Sequence, residues 1–102
     1  MIRHLIRQVV KFGHVDDFMK ASKALNEAGA ALGMPAYRAY HSHWGTFNEV
    51  FTEADYESAD ELNRLMDAFG KDPVVSKAFG EMISHLVDGE ARDYLLAERV
   101  LD

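Results

Sequence analysis

The sequence predicts an α+β domain of the ferredoxin-like type: element order β-α-β-β-α-β, with a four-stranded antiparallel sheet carrying helices on one face. Three observations predict it. The hydrophobic period switches between strand-like and helix-like along the chain, the helical stretches begin and end on cap and stop residues, and 102 residues make a single domain spanning 1–102.

Residues 2–12 alternate, with Leu5 and Val9 on one face and Ile6, Val10 and Phe12 on the other. Apolar residues on both faces indicate a strand covered on both sides, and Gly13 ends it. From His14 to Leu32 the period is helical: Val15, Phe18, Leu25 and Leu32 form one stripe, with the small Ser22 and Gly29 between them. Asp16 and Asp17 sit in the first turn, where the helix dipole favours negative charge. Gly33 and Pro35 stop the helix.

Residues 36–44 and 47–54 read as paired strands joined around Gly45–Thr46. Tyr37, Ala39, His41 and His43 share one face of the first, and Arg38, Tyr40, Ser42 and Trp44 share the other. Ser58 and Glu61 have the spacing of a capping box. The helix it opens carries Leu62, Leu65, Met66 and Phe69 and stops at Gly70. Asp72–Pro73 restarts a helix as N-cap and first helical residue, with Val75, Phe79, Met82, Ile83 and Leu86 as its apolar set. Residues 91–101 suit helix or strand by composition, and their place after a helix stop favours the fourth strand.

Asp and Glu outnumber Lys and Arg by 17 to 11, so the net charge of −6 repels nucleic acid and anionic membrane surfaces as partners. There is no cysteine, which removes disulfides, thiolate metal sites and cysteine nucleophiles. No apolar run approaches the ~20 residues needed to span a bilayer, and the Arg, His and Lys residues of MIRHLIRQVVKF interrupt any signal-peptide core. A cytoplasmic location is expected. Two helical segments cover only one side of such a sheet, so its opposite apolar side is expected to meet a second copy. The expected partner is the same chain, in a homodimer formed by sheet-to-sheet packing.

The stretch HWGTFNEVFTEADYESADELNRLMDAF (43–69) and the following KDPVVSKAF resemble the dimeric α/β-barrel superfamily, most nearly its antibiotic-biosynthesis-monooxygenase-like and NIPSNAP-like branches. The matching features are a hairpin running into Ser58, a helix of the S-x-x-E-L kind and a short D-P helix. The resemblance implies a dimeric α/β barrel. The haem-degrading branch has an Asn–Trp–His set. Here the first strand has Gln8 and no Asn, Phe69 or Phe79 stands where a Trp is wanted, and His85 is the one histidine in that region. The cofactor-free quinone-forming branch surrounds an aromatic substrate with Asn, Trp, Tyr and Arg, for which Asn48, Trp44, Tyr37 and Arg38 are available on the hairpin.

The resulting expectation is a monooxygenase-like protein acting on a small aromatic or apolar molecule, in a pocket between the sheet and its helices, with no cofactor. His41 and His43 would be the acid/base groups, because imidazole titrates near neutrality. Tyr37, Asn48, Trp44 and His85 would bind substrate. The different-class alternative is a small-ligand binding or interaction module using the same pocket. His41-x-His43 also has a spacing used in metal sites, with Glu49 or His85 as possible third ligand. No metal is assigned. Met19, Met34, Met66 and Met82 could floor a flexible pocket, although methionine at helical spacing is usually ordinary core. Trp44, Tyr37 and Tyr40 have core or interface packing as their simpler reading.

Overall fold

A computed structural model describes residues 1–101. The elements are β1 (Ile2–Val9), α1 (Val15–Ala30), β2 (Arg38–His41), β3 (Glu49–Tyr56), α2 (Ala59–Lys71), α3 (Pro73–Ile83) and β4 (Arg92–Ala97). The strands form one antiparallel sheet in the order β2-β3-β1-β4, as a ferredoxin-like fold requires. The ambiguous segment 91–101 is a strand from Arg92 to Ala97, paired along β1.

The hairpin strands are offset from their expected limits. β2 stops at His41, paired with Val50, and β3 continues to Tyr56, paired with Ile2. Residues 42–48 form the connection instead. Gly45 (φ +123°) and Asn48 (φ +56°) supply its left-handed positions, a region Asn tolerates better than other non-glycine residues.

Both helix starts between Ser58 and Pro73 are set locally. Ser58 Oγ accepts from the Glu61 N–H at 3.1 Å. The Glu61 carboxylate accepts from the Glu57 N–H at 2.9 Å, one residue earlier than a reciprocal capping box has it. Asp72 Oδ1 accepts from the N–H groups of Val74 and Val75 at 2.9 and 3.0 Å, with Pro73 at the head of α3.

Ile2, His4, Ile6, Gln8 and Val10 alternate onto the helix side of the sheet, beside Val50, Thr52, Ala54 and Tyr56 of β3. The core divides in two. Val10, Phe18, Ala21, Val50 and Met82 close one end, while Met34, Ala54, Tyr56, Leu62 and Leu65 close the other.

The outer face is a mixture. Leu5, Val9 and Phe51 are half-buried, and Tyr40, Tyr94 and Leu96 are exposed. Between them lie charges paired within the chain: Arg3 with Asp55 at 2.8 Å, Arg38 with Glu53 at 3.2 Å, and Arg7 with Glu49. Hydrogen bonds from Arg7 and Ser42 hold the Glu49 carboxyl below its usual range, and Arg3 does the same for Asp55. Apolar periodicity hid this arrangement, because each charge finds its partner on a neighbouring strand.

Candidate functional site

A cavity of about 280 Å³ lies between the sheet and the helices, separating the two core clusters. Along α1 the small Ser22 and Gly29 face it, with the Met34 side chain packed against Gly29. Met34, Met66, Met82, Phe69 and Phe79 supply much of the apolar wall, and three of these are methionines singled out in the sequence. Met19 packs against the Phe18 cluster instead. The cavity falls just short of the usual range of ligand sites, which begins at about 300 Å³.

The polar groups of the cavity come from β1, β3 and β4, from α1, and from Tyr37 just before β2. His4 on β1 is bound through Nδ1 to the Tyr37 hydroxyl at 2.6 Å and through Nε2 to Asp93 Oδ1 of β4 at 2.9 Å. The Tyr37 hydroxyl also meets that of Tyr56 on β3, at 2.7 Å. Asn26 of α1 fixes Tyr37 by its backbone, accepting from its N–H at 2.9 Å and donating to its carbonyl at 3.0 Å.

The donors follow from the acceptor at the end of the chain. Ionised Asp93 only accepts, so His4 Nε2 carries the proton. A neutral imidazole then offers Nδ1 as acceptor, so Tyr37 O–H donates to it and Tyr56 O–H donates to Tyr37. When His4 gains a second proton, both nitrogens donate and the hydroxyl directions reverse. Asp93 is exposed and Tyr37 largely enclosed, so the chain of bonds leads from solvent to the cavity wall. Burial, reinforced by Tyr56, drives the Tyr37 phenol far above its ordinary range, and burial raises Tyr56 too. Tyr37 therefore remains a protonated hydroxyl.

Two polar atoms on the cavity wall, Gln8 Oε1 and Ser22 Oγ, find no partner among the described residues. Gln8 is only 3% exposed, and its amide N–H donates to Thr52 at 3.4 Å. A buried acceptor left unpaired costs about 1–3 kcal/mol.

Of the residues expected from the sequence, Tyr37 lines this cavity. The others are elsewhere. His41 is exposed at the end of β2 and His43 is exposed in the connection after it. Trp44 is 93% exposed on the same connection and covers no core. Asn48 serves the turn, its carbonyl accepting from the Val10 N–H at 2.9 Å. His85 follows α3 and pairs with His14. Glu49 is taken by Arg7 and Ser42 on the outer face. The sequence signal for His4 and Gln8 was their place on the row Ile2–Ile6–Val10, two polar residues on an otherwise apolar side. Asp93 had no comparable signal.

No family model and no curated protein matches the chain. Solved structures do match. An uncharacterised NIPSNAP-domain protein from Burkholderia xenovorans superposes with a TM-score of 0.83 at 14% identity, over 100% of this chain and 98% of that one. A NIPSNAP family protein from Agrobacterium tumefaciens gives 0.79 at 14% identity, over 96% and 92%. An antibiotic biosynthesis monooxygenase gives 0.73 at 10% identity, over 98% and 100%. The chain has the fold these proteins share, and the likeness seen in its hairpin-to-helix segment holds at that level.

Proposed function

We propose that the cavity binds a small, mainly apolar molecule bearing a hydroxyl or N–H group, and that the chain acts on it as a cofactor-independent, monooxygenase-like enzyme. The observation that carries this reading is the Asp93–His4–Tyr37 chain of hydrogen bonds, which ends in an apolar cavity holding two unpaired polar atoms. Gln8 Oε1 and Ser22 Oγ would receive the polar end of a one- or two-ring aromatic, with the methionines and phenylalanines around its rings. The Tyr37 oxygen would take a proton from a phenol or an activated CH2 as its own passes to His4 Nδ1, and Asp93 would hold the imidazolium that forms. The resulting anion is electron-rich enough to reduce dioxygen. In balance, CH2 becomes C=O, one oxygen atom enters the substrate and the other leaves as water.

The test is a panel of naphthols, hydroquinones and activated methylene compounds, followed by dioxygen uptake and thermal shift. Uptake with quinone or ketone product supports the enzyme. Stabilisation without turnover supports the binding module instead, and neither response removes the reading.

Gln8→Met keeps side-chain length and deletes the unpaired acceptor. It is expected to stabilise the fold by about 1 kcal/mol in urea titration, while weakening any responsive ligand by roughly tenfold. A destabilised variant would mean that Gln8 is fully satisfied.

The outer sheet face, with Leu5, Val9, Phe51, Tyr40, Tyr94 and Leu96 uncovered to varying degrees, supports a homodimer of this chain. Light scattering should give twice the 11.5 kDa chain mass. A single-chain mass would refute this pairing. Among the described residues no helix is long and apolar enough to cross a membrane.

A further inference from the structure

Away from the cavity, His14, Asp17 and His85 each offer one ligand atom, and these atoms all lie within 4.8 Å of one another. We propose that these three residues form a site for a divalent transition-metal ion of the Zn²⁺ type, with a fourth position left to water.

The two imidazoles already meet closely. His14 Nδ1 and His85 Nδ1 are 3.0 Å apart, whereas two nitrogens on tetrahedral Zn²⁺ stand about 3.3 Å apart at bond lengths of 2.0–2.1 Å. Opening the pair by a few tenths of an ångström admits the ion. Asp17 lies three residues after His14, so the first turn of α1 carries both on one side.

The tautomer of His85 is set in favour of a cation. Its Nε2 faces Glu81 Oε1 at 3.3 Å. An ionised carboxylate only accepts, so Nε2 keeps the hydrogen and the Nδ1 lone pair points at His14. A carboxylate holding the far nitrogen of a ligating histidine is the common outer support of zinc sites.

His14 itself is not explained by its place in the helix. It is the N-cap of α1, a position that favours Ser, Thr, Asp or Asn, yet its side chain makes no cap hydrogen bond. The imidazole is directed to His85 instead.

Backbone bonds fix both histidines before any ion arrives. The Lys11 N–H donates to the His85 carbonyl at 2.9 Å, the Val87 N–H to Val9 at 2.8 Å, and the Phe18 N–H to His14 at 2.8 Å. Opposing the ion are the positive end of α1 and the Lys11 ammonium, which sits 3.0 Å from the Ser84 carbonyl. Asp17 in the site and Glu81 on His85 supply the compensating negative charge.

The experiment uses the full chain without a histidine tag, stripped of metal and titrated with ZnCl2 by calorimetry, and with Co²⁺ by visible absorption. One equivalent per chain is expected, with a Co²⁺ band of four- or five-coordinate intensity. His85→Ala should remove binding, Asp17→Asn should weaken it about tenfold or more, and Glu81→Gln, which touches no ion, should weaken it about 10–100-fold. The double variant His41→Ala/His43→Ala should bind as wild type does. Circular dichroism on each variant separates lost ligands from lost fold. Binding that survives His85→Ala, that disappears with His41 and His43, or that is absent up to about 1 mM ion would overturn the proposal. An apo-like pair of hydrogen-bonded imidazoles would then remain.

Discussion

His4→Ala is expected to slow dioxygen uptake on any responsive phenol or activated methylene compound by about 10²–10⁴-fold, the usual contribution of a positioned general base. The substitution removes the one group that joins exposed Asp93 to the enclosed Tyr37 hydroxyl. Its companions should grade in order. Tyr37→Phe keeps the ring but removes the oxygen that passes the proton to His4, so it should cost about as much as His4→Ala and more than Asp93→Ala, whose place solvent can partly fill. His41→Ala and His43→Ala, at exposed positions outside the cavity wall, are expected to leave the rate within about twofold, as surface substitutions generally do. The reverse pattern, a silent His4 and a crippling loss at His41 or His43, would return the acid/base role to the hairpin. Initial rates across pH for all five variants provide the comparison.

Phe18→Ala should have the largest effect on stability, a loss of about 3–5 kcal/mol. Phe18 is completely buried between α1 and the sheet, among Val10, Ala21, Val50 and Met82. Its neighbours lie on α1, α3 and β3 or, as Val10 and Leu86, on a bridge just beyond β1 and α3, so the space is refilled only in part. At about 4–8 °C per kcal/mol for a domain this small, the melting temperature should drop by more than about 12 °C. Thermal melts followed by circular dichroism measure it directly. A loss under about 1 kcal/mol would show that α1 does not rest on the sheet through Phe18.

The element order was legible because each piece is written in short-range chemistry. Ser58 with Glu61 and Asp72 with Pro73 announce helix starts through bonds between neighbours, and the observed caps use those side chains. Gly13, Gly33 and Gly45 mark places where the backbone takes positive φ. Strand limits were less legible. β2 ends where its pairing with β3 ends, and pairing is a property of two segments at once. Trp44 illustrates a related limit: a large aromatic beside a turn suggests cover for a core, but nothing in residues 42–48 states which way the turn faces.

The candidate sites were the least legible part, because they join residues far apart in the chain. His4 meets Tyr37 across 33 positions and Asp93 across 89, and His14 meets His85 across 71. Sequence spacing drew notice to His41 and His43, two imidazoles two residues apart on one strand. Registers of β1 against β3 and β4 decided instead that His4 stands among Tyr37, Tyr56 and Asp93.

By itself the chain determined its class, its alternation of strands and helices, its helix caps and its acidic balance, since all of these depend on residues within a turn or two of each other or on composition. Folding in three dimensions decided the cavity, its unpaired Gln8 and Ser22, and the two clusters around His4 and His85. Those arise only when loop closure brings distant segments together, and no local preference records which partner each polar group will find.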